Sequence, residues 1–264
     1  MNSSGVVGVG AERVLVEVHD FVATVTINRP AVRNAIDLET ALKLESAFDR
    51  CDSDPDVRVI VLTGAGQIFC AGMDLKAFAA TGERPLTLSR GAFGIVEKPP
   101  AKPLVAAVEG KALGGGLEIA LCADLIVAAT DSQFGLPEVT RGLVATGGGA
   151  LRLPQRIPRA AAMEMILTGA PISADAAREL GLVNHVVAQG QTIAEATRLA
   201  RVIAANAPLA VRAVKAIVVE SADWTAAEAF QRQRHHADPV RNSADAREGA
   251  AAFSQKRTPQ WSNQ

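Results

Sequence analysis

Tyrosine is absent from this chain, and aromatic side chains together make up only 4% of its 264 residues. That composition disfavours a surface that stacks on bases or anchors a partner through aromatic rings. Cysteine is nearly missing too: Cys51, Cys70 and Cys122 stand alone with no CxxC spacing, so a disulfide framework is excluded and a reducing compartment fits. Neither sign of charge dominates. Lys and Arg number 27 against 28 Asp and Glu, so the basic excess expected of a nucleic-acid or anionic-membrane binder is lacking, and neither partner is expected. The most apolar stretch, 117–129, is interrupted by Glu118 and Asp124 and is too short to span a bilayer. Residues 1–10 carry no Lys or Arg, and the terminal Ser-Asn-Gln is no peroxisomal address, so the cytoplasm is the expected compartment. His19, His185, His235 and His236 show no metal-ligand spacing, and no metal is expected.

What is abundant is small and apolar. Hydrophobic residues reach 48% and glycines number 22, which excludes disorder and supplies one large domain, or a domain with an appendage. Residues 14–18 and 22–27 are predicted as a strand pair turning near His19-Asp20. Asp37 is placed to cap a helix in which Leu38, Ala41, Leu42, Glu45 and Phe48 follow at helical spacing. Residues 57–62 form an almost unbroken β-branched run, suited to a strand buried on both faces. Strands at 104–108 and 125–128 flank a helix predicted over 116–123. Strands alternating with helices imply an α/β fold with a mostly parallel sheet. From about Ile157 onward Ala-rich amphipathic segments take over, at 159–167, 174–180, 192–206, 209–220, 225–237 and 244–255. Pro208 and Pro239 are read there as helix starters or breakers. The chain is therefore expected to divide into a core, residues 1–200, and a helical appendage, residues 201–264.

Three segments carry candidate chemistry. Gly114-Gly115-Gly116-Leu117-Glu118 lies between a predicted strand and a predicted helix, where bare backbone can aim N–H groups at an anion; it is equally a tight turn with an acid in the first helical turn. Phe69-Cys70-Ala71-Gly72-Met73-Asp74-Leu75-Lys76 can present another backbone donor, or simply lead into a helix capped by Asp74. Phe134-Gly135-Leu136-Pro137-Glu138 can place a second carboxylate, or start a helix at Pro137. Their order lifts all three: two carboxylates and two backbone donors are a kit for acid–base work beside a developing oxyanion. Gly64-Ala65-Gly66 lacks the rest of a dinucleotide fingerprint, and no Ser sits in a Gly-x-Ser-x-Gly elbow.

With Ile27-Asn28-Arg29-Pro30, Arg33-Asn34-Ala35 and Gly181-Leu182-Val183-Asn184, these segments resemble the crotonase (enoyl-CoA hydratase/isomerase) superfamily over nearly the whole length. The resemblance implies a ββα spiral followed by a C-terminal helical region that forms trimers, usually paired into hexamers. It implies an acyl-CoA thioester substrate, with coenzyme A part of that substrate and no separate cofactor. The thioester oxygen is then expected between the N–H groups of Met73 and Gly115, with Glu118 and Glu138 as the catalytic pair that hydrates a 2-enoyl-CoA to a 3-hydroxyacyl-CoA. Substrate and coenzyme A contacts are expected from Arg29, Arg33, Ala35, Ala71, Gly72, Asp74, Leu75, Lys76, Gly114, Pro137 and Thr146, and from Phe253 and Lys256 in the tail. Met73 replaces the smaller Ala often found at its position. Ala145-Thr146 stands where hydratases often carry Pro-Gly, so Thr146 is expected to add bulk beside the acyl group. Gly-Met-Asp-Leu-Lys and Leu151-Arg152-Leu153-Pro154 resemble the crotonobetainyl-CoA hydratase branch. That activity, Δ3-Δ2 isomerisation and non-catalytic acyl-CoA binding are the alternatives.

Overall fold

The computed structural model describes residues 12–264; residues 1–10, read above as carrying no leader, lie outside them. β1 (Val14–His19) and β2 (Val22–Ile27) pair antiparallel across a turn in which Asp20 and Phe21 both take positive φ, 51° and 64°. Such a turn matches the strand twist and normally calls for Asn or Gly; here the Arg58 guanidinium lies 4.0 Å over the Phe21 ring. α1 (Leu38–Ser53) starts where Asp37 accepts the Thr40 N–H at 2.9 Å, and it drives Leu44 and Phe48 into the core. β3 (Val59–Gly64) begins beyond Val57, whose N–H is used by the turn after α1.

A short excursion follows, made of α2 (Leu75–Thr81), β4 (Leu86–Thr87) and β5 (Gly91–Ala92). The chain then repeats a pattern: β6 (Leu104–Val108), β7 (Lys111–Leu113) and α3 (Gly115–Ala120), then β8 (Leu125–Ala129), β9 (Gln133–Gly135) and a 3-10 turn over Pro137–Arg141. The first strand of each unit joins a large sheet ordered β1-β2-β3-β6-β8-β11, and the second joins a smaller one ordered β10-β9-β7. This is the expected ββα plan. Only the β1–β2 pair of the large sheet is antiparallel. After α4 (Gly149–Arg156) and α5 (Arg159–Thr168), β10 (Ile172–Ser173) and α6 (Ala174–Glu179) lead to β11 (His185–Val187).

β3 shows why its sequence run is unbroken. Ile60 and Leu62 enter the main core, while Val59 and Val61 face the other way beneath α7 (Thr192–Ala204). α7 meets that face with Ala196, Ala200 and Ala204, one every fourth residue, whose small side chains let the helix lie close to the sheet. Residue 200 thus falls inside a helix that still covers the core, and the chain departs from the sheet only after Ala204. α8 (Pro208–Glu220), α9 (Ala229–Arg241) and α10 (Ala244–Ser254) follow. Pro208 starts α8 as expected, but Pro239 breaks nothing: it sits in the last turn of α9, where its missing N–H forfeits a single helical bond. Likewise α3 stops at Ala120, short of residue 123, and Pro137 opens a 3-10 turn rather than an α-helix. Among the described residues no single helix is long and apolar enough to cross a membrane.

Candidate active site

The smaller layer brings distant motifs together. Parallel bridges link Ile36 to Met73 and Cys70 to Ala112, and β7 pairs parallel with β9. Because these segments run the same way, the loops that leave them, 71–73, 114–116 and 136–138, emerge at one end of the ladder, where open parallel sheets place ligands.

Two of those loops present free backbone donors. In the Ile36–Met73 bridge, the Ile36 N–H donates to Gly72 O at 2.8 Å and the Ile36 carbonyl accepts from the Asp74 N–H at 2.9 Å. Met73 is the residue between, so its own N–H points away from the bridge, and it has no backbone partner among the described residues. The Gly115 N–H opens α3 and has no intrahelical acceptor. Nothing but backbone separates the two loops: a Cβ on Gly72, whose φ is +90°, would lie 2.9 Å from Gly115 N, and one on Gly116 would lie 2.0 Å from Cys70 O.

Two carboxyl groups border the donors. Glu118 is 3% exposed, and its Oε1 accepts the Gly149 N–H at 2.9 Å. Burial pushes its carboxyl up to about 7; the nearby Glu138 adds to the rise, while the Gly149 and Gly147 N–H groups and the Arg152 charge oppose it. Glu138 leaves the 3-10 turn beside Gly114, where a Cβ would stand 3.0 Å from its Oε1. Its carboxyl is also raised, again by burial, and its buried Oε2 has no hydrogen-bond partner among the described residues. A buried oxygen of that kind is costly in a folded chain unless a ligand or water proton meets it in use.

The remaining expected contacts divide. Gly72, Gly114 and Pro137 belong to the converging loops, and Ala35 is buried beside the Ile36 bridge. Arg29, expected among the substrate and coenzyme A contacts, is instead committed inside the protein. Its guanidinium bridges Asp37 at 2.9 Å and Asp74 at 3.2 Å and donates to the Ala35 carbonyl. Asp74 is thereby a structural anchor as well: it caps α2 through the Ala77 N–H at 3.1 Å. Arg33, Ala71, Leu75, Lys76 and Thr146 are exposed. Phe253, 88% exposed, and Lys256 lie on the surface at the end of α10, which packs against α9 and the C-terminal tail.

Three contributors have roles that sequence reading did not assign. Asn34 is buried at positive φ and staples the first motif in place, accepting the Arg29 N–H at 2.9 Å and donating to the Ala65 carbonyl at 2.9 Å and the Ile68 carbonyl at 2.6 Å. The 147–149 loop supplies the donors that hold Glu118, a use for glycines that composition alone does not reveal. Phe93 packs against Gly115 and Gly147 from a segment with no motif to flag it. A larger groove, about 1060 Å³, runs between the core and α8–α9 past Cys122, Asp124, Arg152 and Lys215, but neither glutamate lines it.

A family model described as enoyl-CoA hydratase/isomerase matches residues 17–264. An enoyl-CoA hydratase of Mycobacterium tuberculosis is 42% identical over 257 residues, covering 94% of this chain and 96% of that protein. A carnitinyl-CoA dehydratase of Proteus mirabilis is 41% identical over 248 residues, covering 91% and 94%. The crystal structure of an enoyl-CoA hydratase from Mycobacterium marinum superposes with a TM-score of 0.93 at 52% identity, over 96% of this chain and 99% of that one.

Proposed function

Because the chain belongs to the enoyl-CoA hydratase/isomerase family, we propose that its two carboxyl groups add water across the double bond of a 2-enoyl-CoA thioester, giving the 3-hydroxyacyl-CoA. One observation carries the reading: a buried Glu118 and a half-buried Glu138 stand beside the same pair of backbone donors, the first oriented by Gly149 and the second with a buried oxygen that has no partner among the described residues. The Met73 and Gly115 N–H groups hold the thioester oxygen and become stronger partners as negative charge develops there. One glutamate takes a proton from water as its oxygen bonds to Cβ. The other gives a proton to Cα, and the thioester carbonyl re-forms. The proton taken from water then passes from the first glutamate to the second, which restores both and makes water the net source of the two added groups; coenzyme A enters as part of the substrate.

Burial supplies the proton traffic. An ordinary carboxyl near pH 7 is almost wholly ionised, whereas Glu118, pushed up to about 7, is found in both forms there. Below that value it is protonated and above it ionised. The pH profile of kcat/KM is therefore expected to show an ionisation near neutrality that is missing from the Glu118→Gln variant. A rising limb assigns Glu118 as base, and a falling limb as acid; a profile flat from about pH 6 to 8 contradicts the assignment.

Hydration of crotonobetainyl-CoA is the second reading, favoured by the likeness to the Proteus carnitinyl-CoA dehydratase. A panel of crotonyl-CoA, longer 2-enoyl thioesters, crotonobetainyl-CoA and a 3-enoyl-CoA separates the possibilities by kcat/KM. Fastest turnover of an uncharged 2-enoyl thioester supports the proposal; faster turnover of the other two moves it to their reactions, and tight binding without turnover of any replaces it with acyl-CoA binding. The same reading takes α8 to α10 as the region through which three copies associate, alone or as paired trimers. Val214, Val218 and Val219 on α8 and Phe230 on α9 are exposed apolar side chains consistent with that use. The cytoplasm is the compartment proposed.

A further inference from the structure

Phe93 occupies a backbone conformation that an aromatic residue rarely adopts. Gly91, Phe93 and Gly94 all have positive φ, at 70°, 57° and 72°. The segment is held there from outside: the Phe93 N–H donates to Pro85 O at 2.7 Å, and Gly94 lies so close to α1 that a Cβ would stand 2.1 Å from Ala41 O. The effect is to send the ring inward, leaving the residue 6% exposed. A Cβ on Gly115 would meet ring atoms at 2.3 to 2.9 Å, and a Cβ on Gly147 would meet the ring at 3.0 Å and Glu118 Oε2 at 2.5 Å. One ring therefore touches the residue that offers the backbone donor and the loop that holds the carboxyl.

We propose that Phe93 is a positioning residue: its ring is a wedge between the start of α3 and the 147–149 loop, fixing the spacing of the Gly115 donor and the Glu118 carboxyl and walling that carboxyl from water. The proposal deepens the hydratase reading and rests on it for its kinetic consequence alone. The charged groups facing Glu118 are Glu138 and Arg152; Arg152 also lies against Gly148 and donates to the Val96 carbonyl at 2.6 Å, so the titration is read together with kcat.

Phe93→Leu keeps an apolar side chain but loses the ring tip. Phe93→Gly suits the positive φ and serves as the second variant should the first fold poorly. In protein carrying 13C-labelled glutamate, the Glu118 carboxyl signal, identified by its loss in Glu118→Gln, is expected to titrate at lower pH in both variants, because water admitted beside a carboxyl favours its charged form. With crotonyl-CoA, kcat is expected to fall about tenfold or more while KM changes much less, as a misplaced catalytic pair requires. An unmoved titration with unchanged kcat in a folded variant overturns the wedge while leaving the hydratase reading intact. A moved titration in a chain that hydrates no thioester supports the wedge and overturns the hydratase reading.

Discussion

Replacing Glu118 by glutamine is expected to lower kcat by at least about 10²-fold, and Glu138→Gln by a comparable factor. The substitution isolates proton transfer. A glutamine at 118 keeps one oxygen that can accept the Gly149 N–H now bound by Oε1 at 2.9 Å, and gives up only the second acceptor oxygen that faces Gly147. It also replaces a carboxyl whose ionisation burial already disfavours, so the thermal midpoint is expected not to fall. KM is expected to change little, because the Met73 and Gly115 donors remain. The two groups serve one reaction, so the double variant is expected to lose about as much as the worse single variant rather than the product of both losses. Initial rates of hydration together with thermal unfolding measure this. Wild-type turnover in both single variants would remove the two-carboxylate mechanism.

Gly116→Ala is expected to be as severe for a different reason. Its Cβ would lie 2.0 Å from Cys70 O and 2.8 Å from Cys70 C, atoms of a backbone that cannot rotate aside. Relief requires the 70–73 strand end to move from α3, and that strand end carries the Met73 donor. Loss of one well-aimed donor costs about 10²- to 10³-fold in kcat, and overpacking costs about 1–3 kcal/mol of stability. The expected outcome is a protein that folds with a lowered thermal midpoint and a kcat reduced by at least about 10²-fold. Near-wild-type kcat would show that the close approach of the two loops is not needed for catalysis.

Local signals were legible where local physics sets the structure. The Asp37 cap, the doubly buried run that became β3 and the proline start of α8 follow from neighbours in sequence, and each is present. Reading failed where a residue's role depends on a distant partner. Arg29, expected to contact substrate or coenzyme A, is claimed by Asp37 and Asp74, which lie 8 and 45 residues away in sequence. Phe93 lacks any motif, because its inward aim comes from Pro85 and α1. Pro239 is carried inside α9, two residues before its end, where the rule for helix interiors predicts a break.

By itself the sequence determined the chemical parts: Glu118 and Glu138, the glycines around them, the balance of charge and the alternation of strands and helices. Those are properties of residue type and short-range order, and folding does not alter them. Only the tertiary structure decided that the loops carrying the Met73 and Gly115 donors lie against each other, that Glu138 has an oxygen without a partner among the described residues and that burial pushes Glu118 up to about 7. Convergence needs parallel bridges between segments tens of residues apart. A raised carboxyl needs the surroundings that exclude water, and those come from α3, the 147–149 loop and the ring of Phe93.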